Sequence, residues 1–219
     1  MRPRRITLLR LAVAVLVGVL ASAGVAYAAS LGLSSRKLHA WSQTLTKGTC
    51  NQTSATADDS YVQQASPNSV AGGTDTTLTV AGTAGSQDYT FIRFDLSACN
   101  LPTTAGADSA GLTLTVTAKS NDTISVFPVY SSWSSPTLNW NGLGGLTIGA
   151  TATTTFVPSS NGTLPVPIPV TADVDAAIKA GTLWGWELRD TSGTATTTFG
   201  SSENDAASKR PSMTLSYEK

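Results

Sequence analysis

AGLTLTVTA, residues 110–118, alternates aliphatic and small or hydroxyl side chains with a period of two. In an extended chain that period sends Leu112, Leu114 and Val116 to one side and the threonines to the other, the pattern of a strand with one face on a core. DTTLTVAG (75–82) repeats it with Leu78 and Val80 on a shared face, and FIRFDL (91–96) with Ile92, Phe94 and Leu96. Turn-forming clusters separate these runs: AGTAGSQ (81–87), KSND (119–122), NGLGG (141–145) and PSSNG (158–162). Short alternating strands punctuated in this way, with no strand–helix–strand rhythm, predict an all-β fold, an antiparallel β-sandwich or barrel.

LPVPIPV (164–170) fixes where one strand must lie. Residues two apart send their N–H groups to the same edge, so Pro165, Pro167 and Pro169 strip three successive donors from one side. That side carries no ladder. The segment is expected at a sheet edge, with Leu164, Val166, Ile168 and Val170 facing inward and the prolines blocking association with another edge. The following TADVDAAIKAG (171–181) predicts one short helix: Thr171 as N-cap, Asp173 and Asp175 in the first turn, an apolar stripe of Val174, Ala177 and Ile178, and Gly181 as terminator.

The first 28 residues read as a secretory signal, with a basic start (Arg2, Arg4, Arg5), an apolar stretch from about Leu11 to Leu20, and a small-x-small site at Ala26-Tyr27-Ala28. An uncleaved anchor is the rival reading, because apolar and small residues run on to Ala29, close to the roughly 20 that span a bilayer. Residues 29–54 are polar and small, a leader or linker, and residues 55–219 make one domain. This division places the protein outside the cell, where Cys50 and Cys99 are suited to one disulfide, with two free thiols as the alternative.

All fourteen acids lie between Asp58 and Glu218, and from Cys50 onward they face only seven basic residues, a net −7. Nucleic acid and anionic lipid, which need clustered Lys and Arg, are poor partners for such a surface. Catalysis by a nucleophile–imidazole pair is excluded from the domain, since the one histidine, His39, lies in the leader. Two cysteines do not make a metal ligand set. No cofactor is called for; calcium is compatible with the carboxylates but not demanded by them.

Four tryptophans are the candidate binding surface. Trp133 and Trp140 stand in SSWSSPTLNWNG (131–142), a stretch otherwise of Ser, Asn, Thr, Pro, Leu and Gly. They are either plugs for the end of a core, with indole N–H groups bonded to loop carbonyls, or a platform on which sugar rings stack. In WGWELRD (184–190), alternation puts Trp184, Trp186 and Leu188 on one face, which reads as core, and Glu187 and Arg189 on the other. Arg93 points away from Ile92 and Phe94, so a half-buried guanidinium paired with carboxylates is expected there, as a structural ion pair or as a ligand contact.

Taken in order, DDSYV (58–62), SPNS (66–69), TTLTV (76–80), FIRFDLS (91–97), LTLTV (112–116), ISVFPVYSSW (124–133), TLNW (137–140), ADVDAAI (172–178), WGWELR (184–189), FGSSE (199–203) and RPSMTLSY (210–217) resemble the DNRLRE domain, grouped with carbohydrate-binding module family 96. The resemblance spans roughly residues 55–218. It implies a jelly-roll sandwich from a secreted bacterial protein, a type found beside polysaccharide-degrading enzymes and known in some members to bind alginate. Carried over residue by residue, it marks Asp59, Asn68, Arg93 and Glu203 and implies that Asp59, Arg93 and Glu203 belong to one polar cluster. Ser202 stands where the family has its second arginine.

The expected function is therefore non-catalytic binding of an extracellular polysaccharide by a secreted monomer that is free of the membrane once the signal is cut. An exported structural or adhesive cell-surface protein without a small ligand is the alternative. The net negative charge favours a neutral glycan over a polyuronate.

Overall fold

A computed structural model describes residues 46–71, 74–180 and 184–219. The signal segment, most of the leader and Gly181 lie outside the described residues. The alternating runs form thirteen strands: β1 Lys47–Gln52, β2 Ala57–Gln63, β3 Thr77–Ala81, β4 Asp88–Phe94, β5 Gly106–Thr113, β6 Thr115–Ala118, β7 Ile124–Pro128, β8 Thr154–Phe156, β9 Gly162–Thr163, β10 Ile168–Pro169, β11 Trp186–Asp190, β12 Thr196–Gly200 and β13 Ser212–Glu218. One α-helix among the described residues, α1 Thr171–Ala180, sits between β10 and β11.

Every strand pairing is antiparallel. One sheet has the order β1-β13-β5-β10, and the other β8-β7-β11-β4-β3-β12-β6-β9 with β2 added on β4. Strand β4 pairs with β2 from Asp88 to Phe94 and with β11 from Thr90 to Ile92, but meets β3 only at Ala81↔Asp88. The large sheet therefore forks at that hairpin and curls over the small one. The result is the expected all-β sandwich of jelly-roll type.

AGLTLTVTA proves to be two strands. The chain leaves the small sheet after Thr113 and joins the large one at Thr115, yet Leu112, Leu114 and Val116 all stay in the same core. Inward alternation survives the crossing because both sheets face one interior. That interior holds Leu78, Val80, Ile92, Phe94, Trp186, Leu188, Phe199, Met213 and Leu215. At about 1.5–3 kcal/mol per buried large apolar side chain, these dominate the stability of the domain.

The proline segment lies at the end of the small sheet, as the missing donors require. Leu164 and Val170 donate their N–H groups to Leu114 O and Ala110 O, both at 3.0 Å, so the alternate positions occupied by proline face away from the sheet. One expectation fails: Val166 is 72% exposed, and only Ile168–Pro169 keep strand pairing. Thr171 also differs from expectation. It is the first residue of α1, and its Oγ1 accepts the Ala110 N–H at 2.9 Å, fastening the helix to β5. Asp173 Oδ2 accepts from Trp186 Nε1 (2.8 Å) and Thr153 Oγ1 (2.6 Å), so the helix closes one end of the sandwich through its first turn.

Within the stretch that composition marks as leader, Lys47–Gln52 pair as strand β1. Strand β1 runs along β13 and is joined by the Cys50–Cys99 disulfide, Cα–Cα 5.8 Å, to the turn that follows β4.

Candidate functional site

Side chains of the large sheet that point away from the main core make a second cluster, in which Val62, Phe91, Val129, Trp133 and Leu138 are buried. The SSWSSPTLNWNG segment lies over it as a lid. Trp133 is only 6% exposed, meets Phe91 edge-on with centroids 5.7 Å apart, and donates its Nε1–H to Trp184 O at 2.6 Å. Trp140 is half-buried against Tyr89 at 4.9 Å. Its segment is no strand: Asn139 Oδ1 accepts the Gly142 N–H and starts a 3-10 turn over Trp140–Gly145. Both tryptophans are thus lids over apolar surface.

Trp184 and Trp186 separate. Trp186 is fully buried in the main core, whereas Trp184 packs half-buried on the second cluster. The cause lies between them. Gly185 has φ +83°, which breaks the alternation, and the backbone of Ile92 and Arg93 comes so close that any Cβ there would collide with Ile92 O. Glu187 and Arg189 do share the outer face, but under the lid: Glu187 is fully buried, with Arg189 Nη2 at 2.6 Å from its Oε2. Burial pushes the Glu187 carboxyl up, and its bond to Arg189 pulls it back. The Arg189 guanidinium stacks on Tyr89 (4.7 Å) and Phe127 (5.0 Å).

The four residues marked by the resemblance do not form one cluster. Strand parity decides the matter: Arg93 and Asp58 are register partners on the outer face of β4 and β2, whereas Asp59 faces inward. Arg93 Nε and Nη2 both donate to Asp58 Oδ2, at 3.0 and 2.6 Å, and Arg93 forms no hydrogen bond or ion pair with Asp59 or Glu203. Asp59 Oδ2 accepts the Ser202 N–H at 2.8 Å, and Ser202 Oγ donates to Glu203 Oε1 at 2.7 Å. Asn68 is exposed elsewhere, its Oδ1 accepting from Asn141 Nδ2 at 2.7 Å.

Beside Arg93 the surface opens into a cleft of about 520 Å³. Its walls are Asp58, Arg93 and Trp184, the β4 exit at residues 94–97 with Asn100 and Leu101, and Ala177 and Ile178 of α1. The guanidinium is held between indoles, 5.3 Å from the Trp133 ring and 5.9 Å from Trp184. With two of its nitrogens tied to Asp58, its Nη1 end is left to donate. Asp95 Oδ1 accepts the Ser97 N–H at 2.8 Å, which holds that carboxyl below its ordinary range. Asn100, at φ 49°, turns the rim back next to the disulfide. Gln52 Nε2 donates to both sulfurs, at 3.0 and 2.9 Å.

A guanidinium edge and a carboxylate side by side, next to an indole, offer adjacent donor and acceptor plus an apolar face. That combination suits a polyhydroxylated ring. Sequence reasoning picks out Arg93 and Trp184 but misses Asp58, Asp95 and Asn100. Asp58 gave no signal of its own, because DDSYV carries an apolar residue of either parity, Tyr61 and Val62, and only the register against β4 sets Asp58 beside Arg93.

Fold and cleft together define a β-sandwich domain with an open cleft beside Arg93. The pattern of carbohydrate-binding module family 96 matches residues 51–217, most of the chain, and the protein belongs to that family. No curated protein matches the chain.

Proposed function

We propose that the protein binds a neutral extracellular polysaccharide, as a secreted monomer and without cleaving it, in the cleft beside Arg93. The observation that carries this reading is the placement of the Arg93–Asp58 pair next to Trp184 on the wall of the cleft. Membership in a carbohydrate-binding family supports the ligand class. Charge supports neutrality: the cleft residues include two carboxylates, Asp58 and Asp95, against one guanidinium, in a domain that is net negative from Cys50 onward. Hydrolysis of a glycoside needs a carboxyl that stays protonated to donate to the leaving group. Asp58 is engaged by Arg93 and Asp95 is shifted the other way, so neither suits that task.

Affinity electrophoresis through gels containing neutral glucans, mannans or xylans, with alginate alongside, tests the proposal. One neutral polymer is expected to retard the protein, with Trp184→Ala weakening binding tenfold or more and alginate giving no retardation at low salt. Retention on alginate alone would replace the neutral glycan with a polyuronate. Retention on no polymer would leave an exported adhesive or structural protein.

A further inference from the structure

Asp59 and Glu203 stand apart from the cleft, and their chemistry does not depend on the ligand bound there. Asp59 is 2% exposed. After its Oδ2 has accepted the Ser202 N–H and Glu203 Oε1 the Ser202 hydroxyl, two acceptor atoms remain: Asp59 Oδ1 and Glu203 Oε2. Both are sealed from solvent, and neither has a hydrogen-bond donor among the described residues. An acceptor left bare in this way is strongly disfavoured, and two anionic ones in one place more so.

No ion pair among the described residues neutralises them. Among the described residues, the ion pairs use Lys47, Arg93, Lys179 and Arg189, none with Asp59 or Glu203. From β4, the register partner of Asp59 is Ile92, and the adjacent Arg93 turns to the opposite face to hold Asp58. On β2 itself Tyr61 donates its hydroxyl to Asp75 Oδ2. Arg210 donates its Nε to Asn204 O. The donors that Ser202 supplies to the two carboxylates are already spent.

We propose that Asp59 keeps a proton on Oδ1 and donates it to Glu203 Oε2, and that this proton is a pH-sensitive latch fastening the Ser201–Asn204 segment to β2. The segment is a junction. Ser201 N and Asn204 Nδ2 donate to Thr76 O, and Ser201 Oγ donates to Asp75 O, tying it to the approach to β3, while Asp59 ties it to β2. Among the described residues β2 pairs with a strand only on its β4 side, so this attachment is a second hold on it. Burial first, and the Glu203 charge second, push the Asp59 carboxyl up to about 7. Because the folded protein holds the proton more tightly than the unfolded chain, the stabilisation is complete at pH values below the ordinary aspartate range and is lost as pH rises through about 7.

Carboxyl-carbon NMR of the full-length protein, titrated from pH 4 to 9 in EDTA, tests the latch directly. The Asp59 carbon is expected to titrate near neutrality. Thermal unfolding should show a Tm lower at pH 8.5 than at pH 5.5 by on the order of 5 °C. In Asp59→Asn or Glu203→Gln the amide supplies the missing donor, and this part of the pH dependence should vanish. An Asp59 carbon titrating below about pH 5, in the usual carboxylate range, would overturn the proposal. So would a calcium-induced rise in Tm at pH 8.5 that Asp59→Asn abolishes, which would put a cation between the two oxygens. If neither variant folds, the titration of the unaltered protein decides.

Discussion

Trp133 shows how much a single side chain joins. Its ring covers Phe91, its face lies against the Arg93 guanidinium, and its N–H is bonded to the Trp184 carbonyl. Trp133→Phe keeps most of the apolar cover but strands that carbonyl, so a loss of about 1–3 kcal/mol in urea unfolding is expected. A loss under about 0.5 kcal/mol, the lower end for a net hydrogen bond, would mean that the indole N–H bond contributes nothing. Gly185, by contrast, works by having no side chain. Its φ of +83° and the close Ile92 backbone leave no place for a methyl group, and Gly185→Ala should cost on the order of 3 kcal/mol in the same experiment. The same residue explains why WGWELRD misleads. Alternation assumes an unbroken strand, and the left-handed kink at Gly185 rotates Trp184 onto the opposite surface, where it becomes a wall of the cleft instead of core.

Among the elements, those whose apolar residues keep one unbroken period were legible from sequence, because their patterning and their burial obey one rule. Leu78 and Val80 of β3, Ile92 and Phe94 of β4, and the apolar stripe residues Val174 and Ile178 of α1 all lie where period-two or helical spacing puts them. The site was less legible, since it depends on which strands become neighbours. Neither Arg93 nor Asp58 announces its partner until β2 and β4 are set in register. In LPVPIPV the backbone chemistry was readable and the side-chain facing only partly so: the prolines dictate an edge, but they also release Val166 from the sheet. Restoring outward N–H groups there with Pro165→Thr, Pro167→Thr and Pro169→Thr should change stability little, as all three positions are exposed, while static light scattering should show new concentration-dependent association. A variant that associates no more than the unaltered protein but unfolds more easily would show that the prolines stiffen the edge and do not guard it.

Across the whole molecule, the Cys50–Cys99 bond couples the fold to the site. It links the first described strand, in the small sheet, to the turn that follows β4 of the large one. Strand β1 is an edge strand held by β13 alone and exposed at half of its positions, so without a covalent tie it is the part of the small sheet most easily frayed. Cys99 lies in the same short turn as the cleft residues Ser97 and Asn100, so the bond also fixes the rim. With the cysteines 49 positions apart, closing this loop removes enough freedom from the unfolded chain to stabilise the native state by roughly 4 kcal/mol in the chain-entropy account. Guanidinium unfolding under a phosphine reductant should therefore lose up to about that amount, with a somewhat larger m-value, because the reduced unfolded chain expands further. Hydrogen exchange in the reduced, still folded protein should quicken first at Lys47–Gln52 and at Ser97–Leu101, and hardly at all in β4 or β11. If instead reduction lowers stability while exchange rises evenly across both sheets, the bond acts through the unfolded chain only, and the cleft rim is held by the Asp95–Ser97 and Asn100 turn without help from β1.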